Sequence, residues 1–254
     1  MTASLNFNDD TKAATLLYDY AKVSSVKLEP YIREYFIDST TIGLRPEPKD
    51  AIIHYTLDGS EPTLNSLHFR KQVVITDEAI LKAKAFCDGY DDNRLLVVEF
   101  TKMTPKPSII MMGLVQGLKY SVYHGEWDML PNFIKIKSVN RGTIDSFDIP
   151  RGVREDNFAV LYRGYIEIEE DGAYTFFTKS DDCSKLLIGD TLVVDNDGLH
   201  GFQDKDGVIA LMAGKHPITL SFFEKGGGQD LEVSYTGPGL EKRIIDGSVL
   251  FRDR

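Results

Sequence analysis

The chain has 254 residues, 42% of them apolar, and its 29 Lys and Arg against 39 Asp and Glu leave a net charge of −10. This is enough apolar material for the buried cores of one or two domains. An acidic surface repels phosphate, and no dense run of Lys or Arg offsets it, so the composition excludes nucleic acid and favours neutral ligands or a hard cation. The start, Met-Thr-Ala-Ser-Leu-Asn, lacks the basic and apolar stretches of a signal peptide. The longest apolar run, Ile109–Val115, is far too short to span a bilayer, so no membrane insertion is expected. These features suit a soluble chain or a piece of a longer secreted protein. Cys87 and Cys183 stand far apart, and neither a disulfide nor a zinc site is expected of them.

In chain order, the first expected element is a short helix over Asp9–Val23. Asp10 or Thr11 can cap it, and Ala13, Leu16, Leu17 and Tyr20 share one face. It belongs to an N-terminal segment, residues 1–28. From Tyr31 the texture becomes β-branched and aromatic, punctuated by Gly, Pro, Asp and Asn. Strands are predicted over Ile52–Thr56, Val73–Ile75, Ile80–Phe86 and Leu95–Phe100. Asp58-Gly59 makes a tight turn between two of them, because glycine tolerates positive φ. Asp58 and Glu61 are read as closing and solvating that turn, with ligand contact as the alternative. Thr101–Ser108, reading TKMTPKPS, carries two prolines and no periodicity and is the expected linker. Strands resume over Leu118–Tyr123, Phe158–Ile168, Ala173–Thr178, Lys185–Ile188, Thr191–Val194, Gly207–Met212, Ile218–Phe223 and Leu231–Tyr235. The fold class is therefore all-β, as two modules over residues 29–103 and 109–254.

The first module carries Ile53–Ser66, IHYTLDGSEPTLNS, followed by the alternating strand Ile80–Phe86. It resembles the small immunoglobulin-like domain at the C-terminal side of chitobiases and β-hexosaminidases, over about Tyr31 to Phe100. That resemblance implies a β-sandwich accessory to a glycosidase. The second module runs from Gly117-Leu118-Lys119-Tyr120 through Asp171-Gly172-Ala173-Tyr174, Ser180–Asn196, Ala213-Gly214 and Phe222–Gly228 to Gly237-Pro238-Gly239. In that order it resembles the PA-fourteen domain, the carbohydrate-recognition module of anthrax protective-antigen type, over nearly its whole length. The resemblance implies a β-sandwich or barrel. In its sugar-binding members it also implies a calcium ion held by two adjacent aspartates joined through a cis peptide. Those aspartates align with Asp181 and Asp182, and a second loop of ligands maps to Glu224–Asp230.

The residues themselves agree with that chemistry. Adjacent carboxylates repel unless a cation intervenes, and calcium accepts about 6–8 oxygens. Glycines after Glu224 let a loop approach a ligand closely. Asp181 and Asp182 are thus candidate metal ligands, and Glu224, Gly227, Gln229 and Asp230 are candidate ligand-binding residues beside them. The loop has no asparagine where the loop of those sugar-binding members has one. The alternative is that the aspartates bond backbone amides and clamp a loop without metal. Trp127, the single tryptophan, is a candidate for stacking on a sugar ring, with a core position as the alternative. Asp195-Asn196-Asp197-Gly198 fails as an EF-hand loop, since Leu199 stands where an oxygen ligand belongs, and reads as a polar turn.

The histidines form no metalloprotease pair, and there is no nucleophile elbow or phosphate loop. The chain is therefore expected to be a non-catalytic, glycan-binding accessory region. Its setting is extracellular, periplasmic or at the cell surface, and a catalytic glycosidase domain is an expected partner. The alternative is a structural spacer or protein-docking module with no sugar site.

Overall fold

The computed structural model describes residues 23–28, 34–90 and 92–254. The helix expected over Asp9–Val23 lies outside these residues except for Val23, which opens a strand. No helix occurs among the described residues, and none is long and apolar enough to cross a membrane. The chain divides into two compact units, one ending at Lys102 and one starting at Met103.

The first unit contains β1 (Val23–Leu28), β2 (Tyr35–Phe36), β3 (Thr40–Ile42), β4 (Leu44–Glu47) and β5 (Ile52–Thr56). It continues with β6 (Leu67–His68), β7 (Val73–Ile75), β8 (Ala79–Phe86), β9 (Asp92–Asn93) and β10 (Leu96–Lys102). Strand β8, reading AILKAKAF, shows why the pattern works. Leu81, Ala83 and Ala85 alternate into the core with no exposed surface, while Lys82 and Lys84 turn outward. A five-stranded sheet, β2-β10-β8-β5-β6, presents them with Ile53, Tyr55, Val98 and Phe100 to a core shared with Val26, Ile42, Leu44 and Ile75. Strand β1 corrects the expected boundary at residue 28. It pairs antiparallel with β4 from Ser25↔Glu47 to Leu28↔Leu44 and buries Val26, so it belongs to this unit. With VSSVKL holding only three apolar residues, its alternation is too short to read. Asp58 and Glu61 are spoken for locally: Asp58 accepts from the Ser60 amide and hydroxyl, and Glu61 pairs with Lys84.

The second unit contains β11 (Val115–Gln116), β12 (Leu118–His124), β13 (Asn140–Ile144), β14 (Phe158–Ile168), β15 (Gly172–Asp181) and β16 (Cys183–Ile188). It continues with β17 (Thr191–Asn196), β18 (Gln203–Leu211), β19 (Gly214–Glu224), β20 (Asp230–Gly237), β21 (Leu240–Ile244) and β22 (Leu250–Arg252). An eight-stranded sheet follows the order β11-β22-β14-β19-β16-β17, with β12 on β14 and β13 on β12. A four-stranded sheet follows the order β18-β15-β20-β21. Between them lies a core that includes Phe158, Tyr162, Phe176, Leu186, Leu220, Phe222 and Tyr235. Truncating one such ring to alanine costs about 3–5 kcal/mol, so the frame is stiff.

Along one side of β14, strand β12 occupies Phe158–Arg163 and β22 takes over at Tyr165–Ile166. Gly164 stands at the handover. A Cβ there would meet the Phe251 carbonyl at 2.5 Å and the Leu118 side chain at 2.6 Å, so no larger residue fits without a shift. The boundary between the two units falls within the segment expected as a linker, part of which is taken into β structure. Thr101 and Lys102 end β10, Lys106 exchanges hydrogen bonds with Ala210 and Met212, and Ile109 bonds to Lys215.

The outer face of the eight-stranded sheet is divided. At one end Tyr123, Ala159, Leu161, Cys183 and Phe223 are covered by Trp127, Leu130, Phe133 and Ile136, forming a second small core. The remainder of that face is open.

Candidate functional site

Two chain crossings lie side by side at one end of the second unit. Asp181 ends β15 in the four-stranded sheet and Cys183 begins β16 in the eight-stranded one, so Asp182 alone carries the passage. Glu224 ends β19 and Asp230 begins β20, and residues 225–229 make the return. Register holds the two together, with Cys183 opposite Phe223 and Asp181 opposite Asp230. The Asp181–Asp182 peptide is cis.

The crossings bring three carboxylates together: oxygens of Asp181, Asp182 and Glu224 all lie within 4.8 Å of one another. Asp182 is buried and accepts from the His200 amide at 3.3 Å and the Lys225 amide at 3.0 Å. Glu224 is 0% exposed, and neither of its carboxylate oxygens has a hydrogen-bond partner among the described residues. Burial, then the charges of Asp182 and Asp181, push its carboxyl up to about 8; Asp156 adds to the shift. The nearby Gly226 amide opposes it without closing a bond of good geometry. Asp181 is raised as well, by burial first, then by Asp182 and Asp230, with His200 acting the other way. Among the described residues no lysine or arginine forms an ion pair with these three carboxylates, and Lys225 turns its ammonium to Asp128.

The return loop is shaped for close approach. Gly227 holds φ of +114°, a conformation disfavoured for side-chain-bearing residues. At Gly228 a Cβ would stand 3.0 Å from Asp181 Oδ2, so glycine lets the backbone lie against that carboxylate.

The other candidate residues fall in different places. Gln229 spends its side-chain amide on the Glu155 carbonyl and so ties the loop down. Asp230 sits opposite Asp181 in the ladder, outside the cluster of three. Trp127 packs edge-on against Phe223, ring centroids 5.6 Å apart, as part of the small outer core.

Several contributors escape a reading of the sequence. The His200 amide supports Asp182 from a stretch with no motif. Asn157, at φ of +55°, donates its amide to the Lys225 carbonyl at 3.2 Å and brings Asp156 under the glycine loop. Beneath the aspartates a buried polar network replaces apolar core. Ser180 Oγ donates to the Asp182 carbonyl at 2.7 Å and accepts from Asn196 Nδ2 at 3.1 Å, while Ser184 Oγ donates to Thr178 at 2.9 Å. The polar turn at 195–198 is a clamp: Asp197 accepts from the Leu130 amide at 2.9 Å and pairs with Lys185 at 2.8 Å. Its one available signal is the density of Asp and Asn.

Comparison with known proteins bears on both units. Residues 114–248, more than half of the chain, match the PA14 domain, the PA-fourteen module of the sequence reading. Residues 34–96 match the chitobiase/beta-hexosaminidase C-terminal domain. Over 173 residues, 65% of its length, the chain is 26% identical to a beta-hexosaminidase of Porphyromonas gingivalis, and it spans only 22% of that protein. Among solved structures, it is similar to the PA14 sugar-binding domain from an RTX adhesin, with TM-score 0.47 and 16% identity over 54% of this chain and 99% of that one. It is also similar to an anti-sigma factor domain-containing protein from Clostridium clariflavum, with TM-score 0.47 and 15% identity over 91% of this chain and 83% of that one.

Proposed function

This chain belongs to the PA14 domain family, and we propose that it is a non-catalytic, calcium-assisted carbohydrate-binding region accessory to a glycoside hydrolase or a surface glycan-binding protein. The observation that carries the reading is Glu224: a fully buried carboxylate with no hydrogen-bond partner among the described residues, facing two more carboxylates beneath a glycine loop. Three clustered carboxylates repel one another. Hard oxygen donors in that number suit calcium, and the residues present fit it. Asp181, Asp182 and Glu224 would hold the ion. When bound, calcium supplies positive charge and open coordination positions for sugar hydroxyls. The glycines at 226–228 let those hydroxyls come close, and the two paired crossings keep the carboxylates in place before a ligand arrives.

The similarity to a beta-hexosaminidase supports a glycosidase setting, with the catalytic function carried by another part of the protein. An extracellular, periplasmic or cell-surface location belongs to the same reading, since the calcium sites of extracellular modules work at about 10⁻⁴–10⁻³ M. A second reading, a spacer or docking module with no sugar site, draws on Asp182, whose two amide hydrogen bonds suit a loop clamp. Glu224 separates the readings, since a clamp needs acceptors that are used.

The test is calorimetric titration with calcium, followed by a glycan array with and without EDTA. The expected result is calcium binding that Glu224→Gln weakens, and sugar binding that chelation removes. Calcium binding without any glycan on the array leaves a structural ion and ends the lectin reading. Absence of calcium binding ends both parts and favours the spacer. Release of product from aryl-glycosides by the purified chain would overturn the non-catalytic assignment.

A further inference from the structure

The open part of the outer sheet face forms a cavity of about 720 Å³, within the size range of small-ligand sites. It is built by register. Thr143, Lys119, Arg163 and Thr219 form one row across β13, β12, β14 and β19, all pointing away from the core. Arg141 lies in the next row on the same face, opposite Ser121. Lys119 and Arg163 are directly opposite each other, an arrangement that repels unless an anion relieves it.

An ion pair relieves only one of the two. Lys119 is matched by Asp253 at 2.9 Å, and Arg141 is turned by Ser138 at 2.7 Å. The Arg163 guanidinium has no hydrogen bond or ion pair among the described residues. Three cationic side chains and one carboxylate thus line this cavity in a chain of net charge −10. Leu161 forms a buried floor, and the Tyr165 ring stands at the side with Pro217 opposite it in the ladder.

We propose that this groove is a second binding site, separate from the carboxylate cluster, for a saccharide bearing carboxylates, such as a uronic-acid chain. Arg163 binds the carboxylate through its planar fork, and Arg141 and Lys119 add charge around it. Thr143, Thr219 and Ser121 offer hydroxyls to the sugar hydroxyls, and Tyr165 offers a ring face to its apolar side. Other occupants fit less well. A nucleic acid meets the repulsion of an acidic protein. An extended peptide needs an open strand edge, whereas this cavity lies on the face of paired strands.

The experiment is isothermal titration in EDTA with trigalacturonate and, separately, with its fully methyl-esterified, uncharged counterpart. The acid is expected to bind and the ester to bind at least about tenfold more weakly, the size of one charge-assisted contact. Arg163→Gln should weaken the acid by about tenfold or more while the melting temperature stays put, and Arg141→Gln should act in the same direction. Binding in EDTA separates this site from the calcium reading. The proposal falls if the acid does not bind at millimolar concentration in EDTA, or if binding survives Arg163→Gln. It also falls if an aspartate-rich peptide binds the groove and the saccharide does not, because the face is then a protein contact.

Discussion

The carboxylate cluster and the outer groove share strand β19 and treat charge in opposite ways. At the end of the strand, Glu224 is sealed from water and confronted by Asp181 and Asp182. A few residues earlier, Thr219 stands in an open row beside an exposed, unpaired Arg163. Confinement makes like charges a matter of folding stability, whereas hydration leaves them a matter of affinity only. The same sheet can therefore hold one site whose charge is felt by the whole domain and another whose charge is felt only by its ligand.

That contrast is sharpest for Asp182. Replacing it by alanine leaves the His200 and Lys225 amides without their acceptor, and each such loss costs about 1–3 kcal/mol. Denaturant unfolding of Asp182→Ala should show a loss of roughly 3 kcal/mol; an unchanged midpoint would break the comparison. Next in size is the proposed calcium ion, which at 100-fold excess over Kd would stabilise the fold by about 2.7 kcal/mol. Thermal melting should report a rise that EDTA reverses, and Arg163→Gln should leave that rise intact.

A separate effect concerns pH in the metal-free protein. Glu224 holds its proton up to about 8 when folded, against an ordinary value of 4.5. The folded state therefore binds the proton more tightly than the unfolded one. This contribution is full below about pH 4.5 and is lost as pH rises towards 8. Asp181, also raised, acts in the same sense. In EDTA the melting temperature should decline across that window, and Glu224→Gln should flatten the decline. A rising trend would show that the cluster is not confined as described. The smallest effect is at the groove, where Arg163→Gln should change unfolding free energy by less than about 0.5 kcal/mol, as for other unpartnered surface residues.

Much of the frame was legible because its strands are short runs of β-branched and aromatic residues between turn residues. Phe158–Ile168, Ile52–Thr56 and Val73–Ile75 begin and end where the pattern says. Strand β13, Asn-Arg-Gly-Thr-Ile, was not legible, since it lies at the end of its sheet and buries none of its side chains fully. Leu240–Ile244 is hidden for the same reason. The Asp181–Asp182 pair stood out through its resemblance to sugar-binding relatives. That Glu224 is the sealed member of the cluster did not, because its burial depends on two crossings distant in sequence. Trp127, for which both stacking and a core position were open from the sequence, packs against Phe223. The cations of the groove were invisible for a simpler reason: Lys119, Arg141 and Arg163 are about twenty residues apart each, and only strand register puts them on one face.

The handover at Gly164 has one more consequence. Because β22 continues along β14 where β12 leaves off, and β11 pairs with β22 from Val115↔Arg252 to Gln116↔Phe251, the first and last strands of the second unit are hydrogen-bonded neighbours. The eight-stranded sheet is thus closed along this seam by backbone hydrogen bonds between the strand that opens it in sequence and the strand that ends it.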